Sequence, residues 1–298
     1  MGYVFSLIAT ALWAFNFIIA VIANSHISAI ELSFYRWLVA FVILLPWTIK
    51  LIPKKNIVIS NYKYIALPAI FGVAVFNTVL YLAANYSSSF NLSLMGISAP
   101  IMVIAINRFV FNIHYSRDLW AGVLVATIGV LVLICKGDIN VLINLNFSMG
   151  DILMFIAATS WGIYTVILEH KQPKDFTQIE FLALITTLGL IILLPIFFWQ
   201  INNYGFSQYS SENLAMIMYL GIFPSIVSFY SWNKSIEKIG ATKTGATYYF
   251  IPVLVYIYST IFLDEQITYN EIMSFLLIFS GLLTIHFAKS KQSPFKKL

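Results

Sequence analysis

The stretch SIEKIGATKTGATYYFIPV, residues 235–253, runs from charged residues into an apolar segment that carries Pro252. Proline lacks a backbone N–H and its ring crowds the carbonyl four residues back, so an apolar helix here must break or kink. Whether a chain can tolerate that depends on what surrounds the break.

The surroundings are lipid. Sixty percent of the 298 residues are hydrophobic and 10% are charged, against roughly a quarter charged in an average soluble domain. The apolar residues fall in blocks of about twenty, which at about 1.5 Å per residue match a hydrocarbon core about 30 Å thick. Between polar clusters the sequence offers ten expected spans, near 3–23, 30–49, 64–84, 90–111, 119–135, 150–169, 178–199, 214–232, 244–263 and 270–288. None alternates with period two, so the expected fold is an all-α integral membrane bundle rather than a barrel.

The same sequence is written twice. Residues 70–135 lie over 222–287 at a constant offset of 152, matching IF at 70–71 with IF at 222–223, Pro100 with Pro252 and Gly129 with Gly281. Upstream the offset shortens: IE at 30–31 and LLP at 44–46 fall on IE at 179–180 and LLP at 193–195, and Trp13 on Trp161. The expected domains are a first five-helix repeat over 1–136, a second over 149–288 and a short basic cytoplasmic tail over 289–298. Five spans is an odd number, so the second copy enters the membrane from the other side. Such inverted repeats are a common plan of secondary transporters, with the solute site near the midplane.

Charge sets the expected orientation. With the N-terminus inside, the even-numbered connections and the tail hold Lys50, Lys54, Lys55, Lys63, Arg108, Arg117, Lys171, Lys174, Lys234, Lys238, Lys243, Lys289, Lys291, Lys296 and Lys297, leaving Arg36 and Lys136. Both termini are thus expected in the cytoplasm, in a bacterial inner membrane. The net charge of +5 describes topology and contact with anionic lipid, and no nucleic-acid partner is expected. MGYVFS fits a myristoylation pattern and Ala20 and Ala23 a cleavage site, but no basic residue precedes a run too long for a signal core, so it reads as the first span. The one cysteine, Cys135, leaves no intramolecular disulfide to form.

The residues also resemble a family. SWNKSIEKIGATKTGATYYFIPVLVYIYSTIFLDEQIT, from Ser231, is similar to the signature of EamA-type permeases of the drug/metabolite transporter superfamily. ALWAFNFI at 11–18, FYRW at 34–37 and SLMGISAPIMVI at 93–104 resemble the same unit in the first copy. The resemblance implies ten helices, a central cavity and transport of small organic solutes, commonly outward. Glu265 matches the family's acidic position, which the first copy replaces with Ile113.

Helices that line such a cavity carry polar and aromatic residues at helical spacing. Trp13 and Asn16 map onto Trp161 and Tyr164, and Asn77 and Tyr81 onto Phe229 and Asn233. Ser93 with Gly96, and Gly245 with Tyr248, each lead a turn later to their proline. The expected substrate-binding residues are therefore Trp13, Asn16, Asn77, Tyr81, Trp161, Tyr164 and Tyr248. Interface anchoring and helix–helix glue are the plainer roles for single residues of these types. Pro100 and Pro252 are expected to break their helices symmetrically, as gates or as two ends of one cavity.

Arg36 lies about 9 Å inside its span, where a charge needs a partner, a route to headgroups or a wet cavity. Because the family pattern keeps an Arg there whatever the cargo, a structural or gating pair is expected, with a substrate carboxylate as the alternative. Glu31 and Glu180 read as solvated helix starts.

The expected function is secondary-active or facilitative export of a small metabolite, an amino acid or amine, by alternating access, with the chain working as a monomer or a homo-oligomer. A proton-coupled multidrug pump would want a carboxylate in the first span, which has none. A membrane-embedded enzyme or scaffold would want a catalytic cluster. His26, His114, His170 and His286 are scattered without metal-ligand spacing, and no Gly-rich phosphate loop is present. No cofactor or metal is expected.

Overall fold

A computed structural model describes residues 1–24, 26–135, 148–263, 269–288 and 290–291. The chain is nearly all helical. Two long helices come first, α1 (Gly2–Asn24) and α2 (Ala29–Lys50), followed by a short α3 (Lys55–Ser60). Next come α4 (Tyr62–Pro68) and α5 (Phe76–Ala83), then α6 (Ser89–Gly96), α7 (Ser98–Phe109) and α8 (Arg117–Cys135). The second half holds α9 (Met149–Lys171), α10 (Gln178–Tyr204), α11 (Ser211–Leu220), α12 (Ser228–Ala246), α13 (Phe250–Leu263) and α14 (Tyr269–Phe287). Two-residue strands β1 (His114–Tyr115) and β2 (Ser290–Lys291) pair antiparallel, tying the turn after α7 to the C-terminal stretch.

Seven helical stretches among the described residues are long and apolar enough to cross a membrane. Their outer surfaces stay apolar: Val42, Ile49, Ile191, Phe198 and Leu214 are exposed, while Asn16, Arg36, Asn77 and Asn233 are buried. That is the arrangement expected when the solvent is hydrocarbon.

Two matching irregularities interrupt these stretches. A π-helical segment, Ala69–Val75, joins α4 to α5, and another, Gly221–Val227, joins α11 to α12. They stand 152 residues apart, the offset of the sequence repeat. In each, side chains take backbone carbonyls five residues back: Asn77 Nδ2 donates to Gly72 O at 3.0 Å, and Ser225 Oγ to Leu220 O at 2.8 Å. A widened turn presents those carbonyls to side chains instead of the usual ladder.

The stretch around Pro252 is more helical than its charges suggest. Rather than forming a loop, residues 228–239 continue as helix, and the chain bends at Gly240, whose φ of 81° lies in the left-handed region. Glycine suits that conformation, and a Cβ there would sit 2.8 Å from Glu169 Oε1. The same oxygen accepts from Ala241 N at 3.1 Å, satisfying a donor that the bend exposes.

The helices pair reciprocally. α1 packs on α12 and α13, while α9, its counterpart in the repeat, packs on α5 and α7; α2 packs on α10 and α8 on α14. The last pair touches backbone to backbone: a Cβ on Gly281 would lie 2.5 Å from Ala126 N, and one on Gly122 2.8 Å from Gly281 O. Small residues permit that approach in lipid, where van der Waals packing holds helices together.

Contacts sort the connections onto two faces. The terminal face holds Tyr3, whose hydroxyl meets His286 Nδ1 at 2.6 Å, and the end of α7, where Asn107 meets His170 at 2.9 Å. It also holds Lys54, paired with Glu180 at 2.9 Å. On the opposite face, Glu31 is fully buried, which corrects its reading as a solvated helix start. Its carboxylate accepts from Ser207 N at 3.1 Å and from Tyr209 OH at 2.8 Å, pinning the start of α2 to the loop after α10. Burial, with the hydrogen bonds to Tyr35 and Glu31 adding, pushes the Tyr209 phenol well above its usual range, so it stays a donor. Glu180 does cap its helix, with Thr177.

Candidate functional site

The helices that exchange partners between halves meet at an aromatic and polar cluster. Trp13 of α1 and Trp161 of α9, equivalent in the repeat, touch edge to face at 4.8 Å between ring centroids. Phe229 packs against Trp13, Trp37, Trp161 and Tyr164 at 5.0–5.9 Å. Trp232 closes on Trp13 at 5.1 Å, and Tyr248 on Trp232 at 6.1 Å. Edge-to-face geometry of this kind is favoured by the ring quadrupoles.

All seven expected binding residues, Trp13, Asn16, Asn77, Tyr81, Trp161, Tyr164 and Tyr248, are buried, none more than 3% exposed. The structure brings them together but packs them against one another rather than around an open cavity.

A hydrogen bond is repeated in the cluster with its partners exchanged. Tyr81 OH donates to Asn16 Oδ1 at 2.9 Å, and Tyr164 OH to Asn233 Oδ1 at 2.8 Å. The repeat maps Asn16 onto Tyr164 and Tyr81 onto Asn233. Each half therefore makes the same Tyr-to-Asn bond with donor and acceptor swapped between helices. The first helix of each half also reaches into the other half's π segment. Trp13 Nε1 donates to Pro224 O at 3.0 Å, and Ser160 Oγ to Phe71 O at 2.7 Å.

Arg36 breaks this symmetry, because the position equivalent to it is Ile185. The buried guanidinium donates from Nε to Ser225 Oγ at 2.8 Å, and from Nη1 to Tyr81 OH at 2.6 Å and Asn77 Oδ1 at 2.8 Å, with Asn16 Oδ1 at 3.5 Å. It thereby stitches the two π segments together. The expected pair is instead a hub of neutral acceptors, since no ion pair to Arg36 occurs among the described residues.

Pro100 and Pro252 are buried in the first turns of α7 and α13. The helical break lies just upstream of each: at Ile97 between α6 and α7, and in the 3-10 turn Thr247–Tyr249 before α13. The carbonyls four residues back belong to Gly96 and Tyr248, which are repeat equivalents and pack together. A Cβ on Gly96 would lie 3.2 Å from Tyr248 Cε1. The two breaks thus face each other beside Trp232.

The sequence places Trp37 and Trp232 in the family-like stretches FYRW and SWNKS but assigns neither to the binding site, and it does not mark Ser225. Trp37 and Trp232 adjoin Arg36 and Asn233, which were marked, but nothing in the sequence says that their rings turn inward. Glu265 lies outside the described residues. No cluster of His, Cys, Asp and Glu that could hold a metal occurs among the described residues.

Comparison with known proteins decides the family. The EamA-like transporter family model matches residues 1–135 and 148–287. The chain belongs to the EamA-like transporter family. It is an integral membrane protein of a transporter family, and its relatives carry transporter names. An uncharacterized transporter of Bacillus subtilis, YyaM, is 26% identical over 78% of this chain and 75% of its own length. One from Archaeoglobus fulgidus is 25% identical over 92% and 91%. A probable amino-acid metabolite efflux pump of Salmonella typhimurium is 22% identical over 93% and 92%. A solved crystal structure covers 95% of both chains with a TM-score of 0.70 at 14% identity, a likeness of fold alone.

Proposed function

We propose that the protein is a secondary-active or facilitative transporter that carries a small organic metabolite, an amino acid or amine, out of the cytoplasm by alternating access. The buried cluster at the junction of the two halves is its solute site. The observation that carries the reading is that residues of both halves build one cluster, sealed toward both faces. Rings of Trp13, Trp161 and Tyr248 would hold an apolar or cationic part of the solute, and Asn16 and Asn77 a polar part.

In this reading the chain is ten spans in two inverted repeats of five. Dividing Ser211–Tyr258 at Gly240 and adding α8 and α14 to the remaining stretches brings the count to ten. The reciprocal pairing of α1 with α12 and α13, and of α9 with α5 and α7, supports the pseudo-twofold relation. The distribution of Lys and Arg supports cytoplasmic termini in a bacterial inner membrane. Glu31 with Ser207 and Tyr209 would latch one face, and Glu169 with Ala241 and Asn107 the other. Releasing one latch at a time admits solute from one side. Gly96 and Tyr248, freed from regular helix by their prolines, are where α6–α7 and α12–α13 would flex. Export fits the name of the Salmonella relative.

Counterflow of labelled amino acids and amines in proteoliposomes tests the function. Trp161→Ala with Tyr164→Ala should abolish counterflow while the protein still purifies as a monodisperse species, since each removes stacking surface worth roughly 1 kcal/mol. Unchanged counterflow in the double variant would move the site elsewhere.

A further inference from the structure

The cluster is short of hydrogen-bond acceptors and of negative charge. Its buried side-chain atoms without a partner are Arg36 Nη2, Trp37 Nε1, Trp161 Nε1 and Asn233 Nδ2, and every one is a donor. Among the described residues the other buried side-chain atoms without partners, Ser87 Oγ and Thr186 Oγ1, are hydroxyls that can donate or accept. A guanidinium does not lose its proton in a protein, so Arg36 brings a full positive charge into the bundle.

Nothing described nearby balances that charge. Asn16, Asn77, Tyr81 and Ser225 are neutral. Glu31, on the same helix, has its carboxylate turned to Ser207 and Tyr209, and Glu169 is held at the terminal face by Ala241 and Asn107. A buried cation without a counter-charge is costly, and so is each orphaned donor.

The side chains that carry the orphans are linked through their neighbours. Phe229 lies 5.0 Å from Trp37, 5.3 Å from Trp161 and 5.6 Å from Tyr164, whose hydroxyl is bonded to Asn233. The Arg36 guanidinium carbon stands 5.2 Å from the Trp37 ring. Four unpartnered donors, one of them cationic, thus belong to side chains of one aromatic cluster.

We infer that the cluster is a carboxylate site: the transported solute carries a carboxylate that Arg36 Nη2 anchors, with Asn233 and Trp161 donating to it. A carboxylate is acceptor-only and singly charged, so it supplies what the cluster lacks. A protonated amine carries only donors and one more positive charge, and would deepen both deficits. The inference rests on the transport reading and narrows it, keeping amino acids and other small carboxylates with an apolar or aromatic body and removing simple amines. An inorganic anion shares the chemistry of the headgroup but not the need for a ring-lined shell.

The test uses purified full-length protein and sets of acid, amino acid, amino-acid amide and amine built on the alanine, leucine and phenylalanine side chains. Binding is read by intrinsic tryptophan fluorescence and transport by counterflow in proteoliposomes, with sodium chloride as a separate arm. At least one carboxylate-bearing probe should bind roughly tenfold or more tighter than its amide and amine, the effect of a charge-assisted hydrogen bond. Arg36→Gln should erase that preference. Trp161→Phe, which keeps an aromatic ring but removes one orphaned donor, should weaken carboxylates by a larger factor than their amides, because a donor gives up more to a charged acceptor than to a neutral one, and it serves as the second variant if Arg36→Gln does not fold.

Equal binding of acid, amide and amine would overturn the inference. So would a fluorescence change produced in full by chloride, or none with any carboxylate probe. Carboxylate binding without counterflow would uphold the anion site and remove the transport reading. Counterflow of amines without preference for acids would do the reverse.

Discussion

At the scale of the residue, two kinds of position govern the fold: polar side chains that must be satisfied in lipid, and glycines that set how close helices come. Asn77 does both of an amide's tasks, accepting from Arg36 while donating to Gly72 O. Helical spacing was enough to mark Asn16, Asn77 and Tyr81 as facing one side. It could not show that a single guanidinium gathers all three, because that depends on how α1, α2 and α5 dock. Glu31 was misread for the same reason: its first-turn position looks solvated until the loop at 205–210 folds over it. Among glycines, Gly281 is the most constrained by backbone, with Ala126 N and Gly122 O both within 2.7 Å of the place of its Cβ. Gly281→Val should therefore separate α8 from α14 and destabilise the protein by at least the roughly 1–3 kcal/mol typical of overpacking. A thermal unfolding curve in detergent would register the loss, and an unchanged midpoint would mean that the helices pack elsewhere.

At the scale of the element, the irregularities carry more information than the regular helices. The ten apolar runs were legible from hydropathy, and the helix ends fall within a few residues of those boundaries except at 55–60 and 233–243, where helix occupies the expected connections. The π segments were not legible. AIFGVAV reads as ordinary apolar helix, and GIFPSIV carries Pro224, which marks a break but not a widened turn; at both segments side chains donate to carbonyls five residues back, contacts that hydropathy does not show. The prolines were legible as breaks, and the repeat paired them, but their contact through Gly96 and Tyr248 is a tertiary fact. Restoring a backbone donor straightens a helix. Pro100→Ala and Pro252→Ala should hence bias the protein toward opposite-facing conformations. A cysteine placed by Tyr164→Cys should react with an impermeant reagent more readily from one side in the first variant and from the other in the second. A shift to the same side in both, or no shift while each proline variant with Tyr164 intact keeps normal counterflow, would make the prolines packing features.

At the scale of the whole molecule, different residues tie the two faces around one buried cluster, Glu31 with Ser207 and Tyr209 on one and Glu169 with Ala241 and Asn107 on the other. α1 and α9, which the sequence repeat makes equivalent, pack on equivalent partners, α1 on α12 and α13 and α9 on α5 and α7, which is the pairing the proposed pseudo-twofold relation requires. The repeat shows which residues differ between the halves but not the bonds those differences make. Arg36 faces Ile185 across the symmetry, and the Tyr-to-Asn bond changes hands. Those differences are where a solute with two unlike ends would be told apart. Alternating access requires that the faces open in turn. The most direct measurement is a pair of spin-label distances in a Cys135→Ser background, one across the opposite face between His26→Cys and Phe206→Cys, and one across the terminal face between Phe109→Cys and Lys238→Cys. In proteoliposomes loaded with a counterflow-active solute, the account predicts that each distance samples a longer population while the other stays short. Both distances lengthening together, or neither changing while solute still crosses, would contradict it.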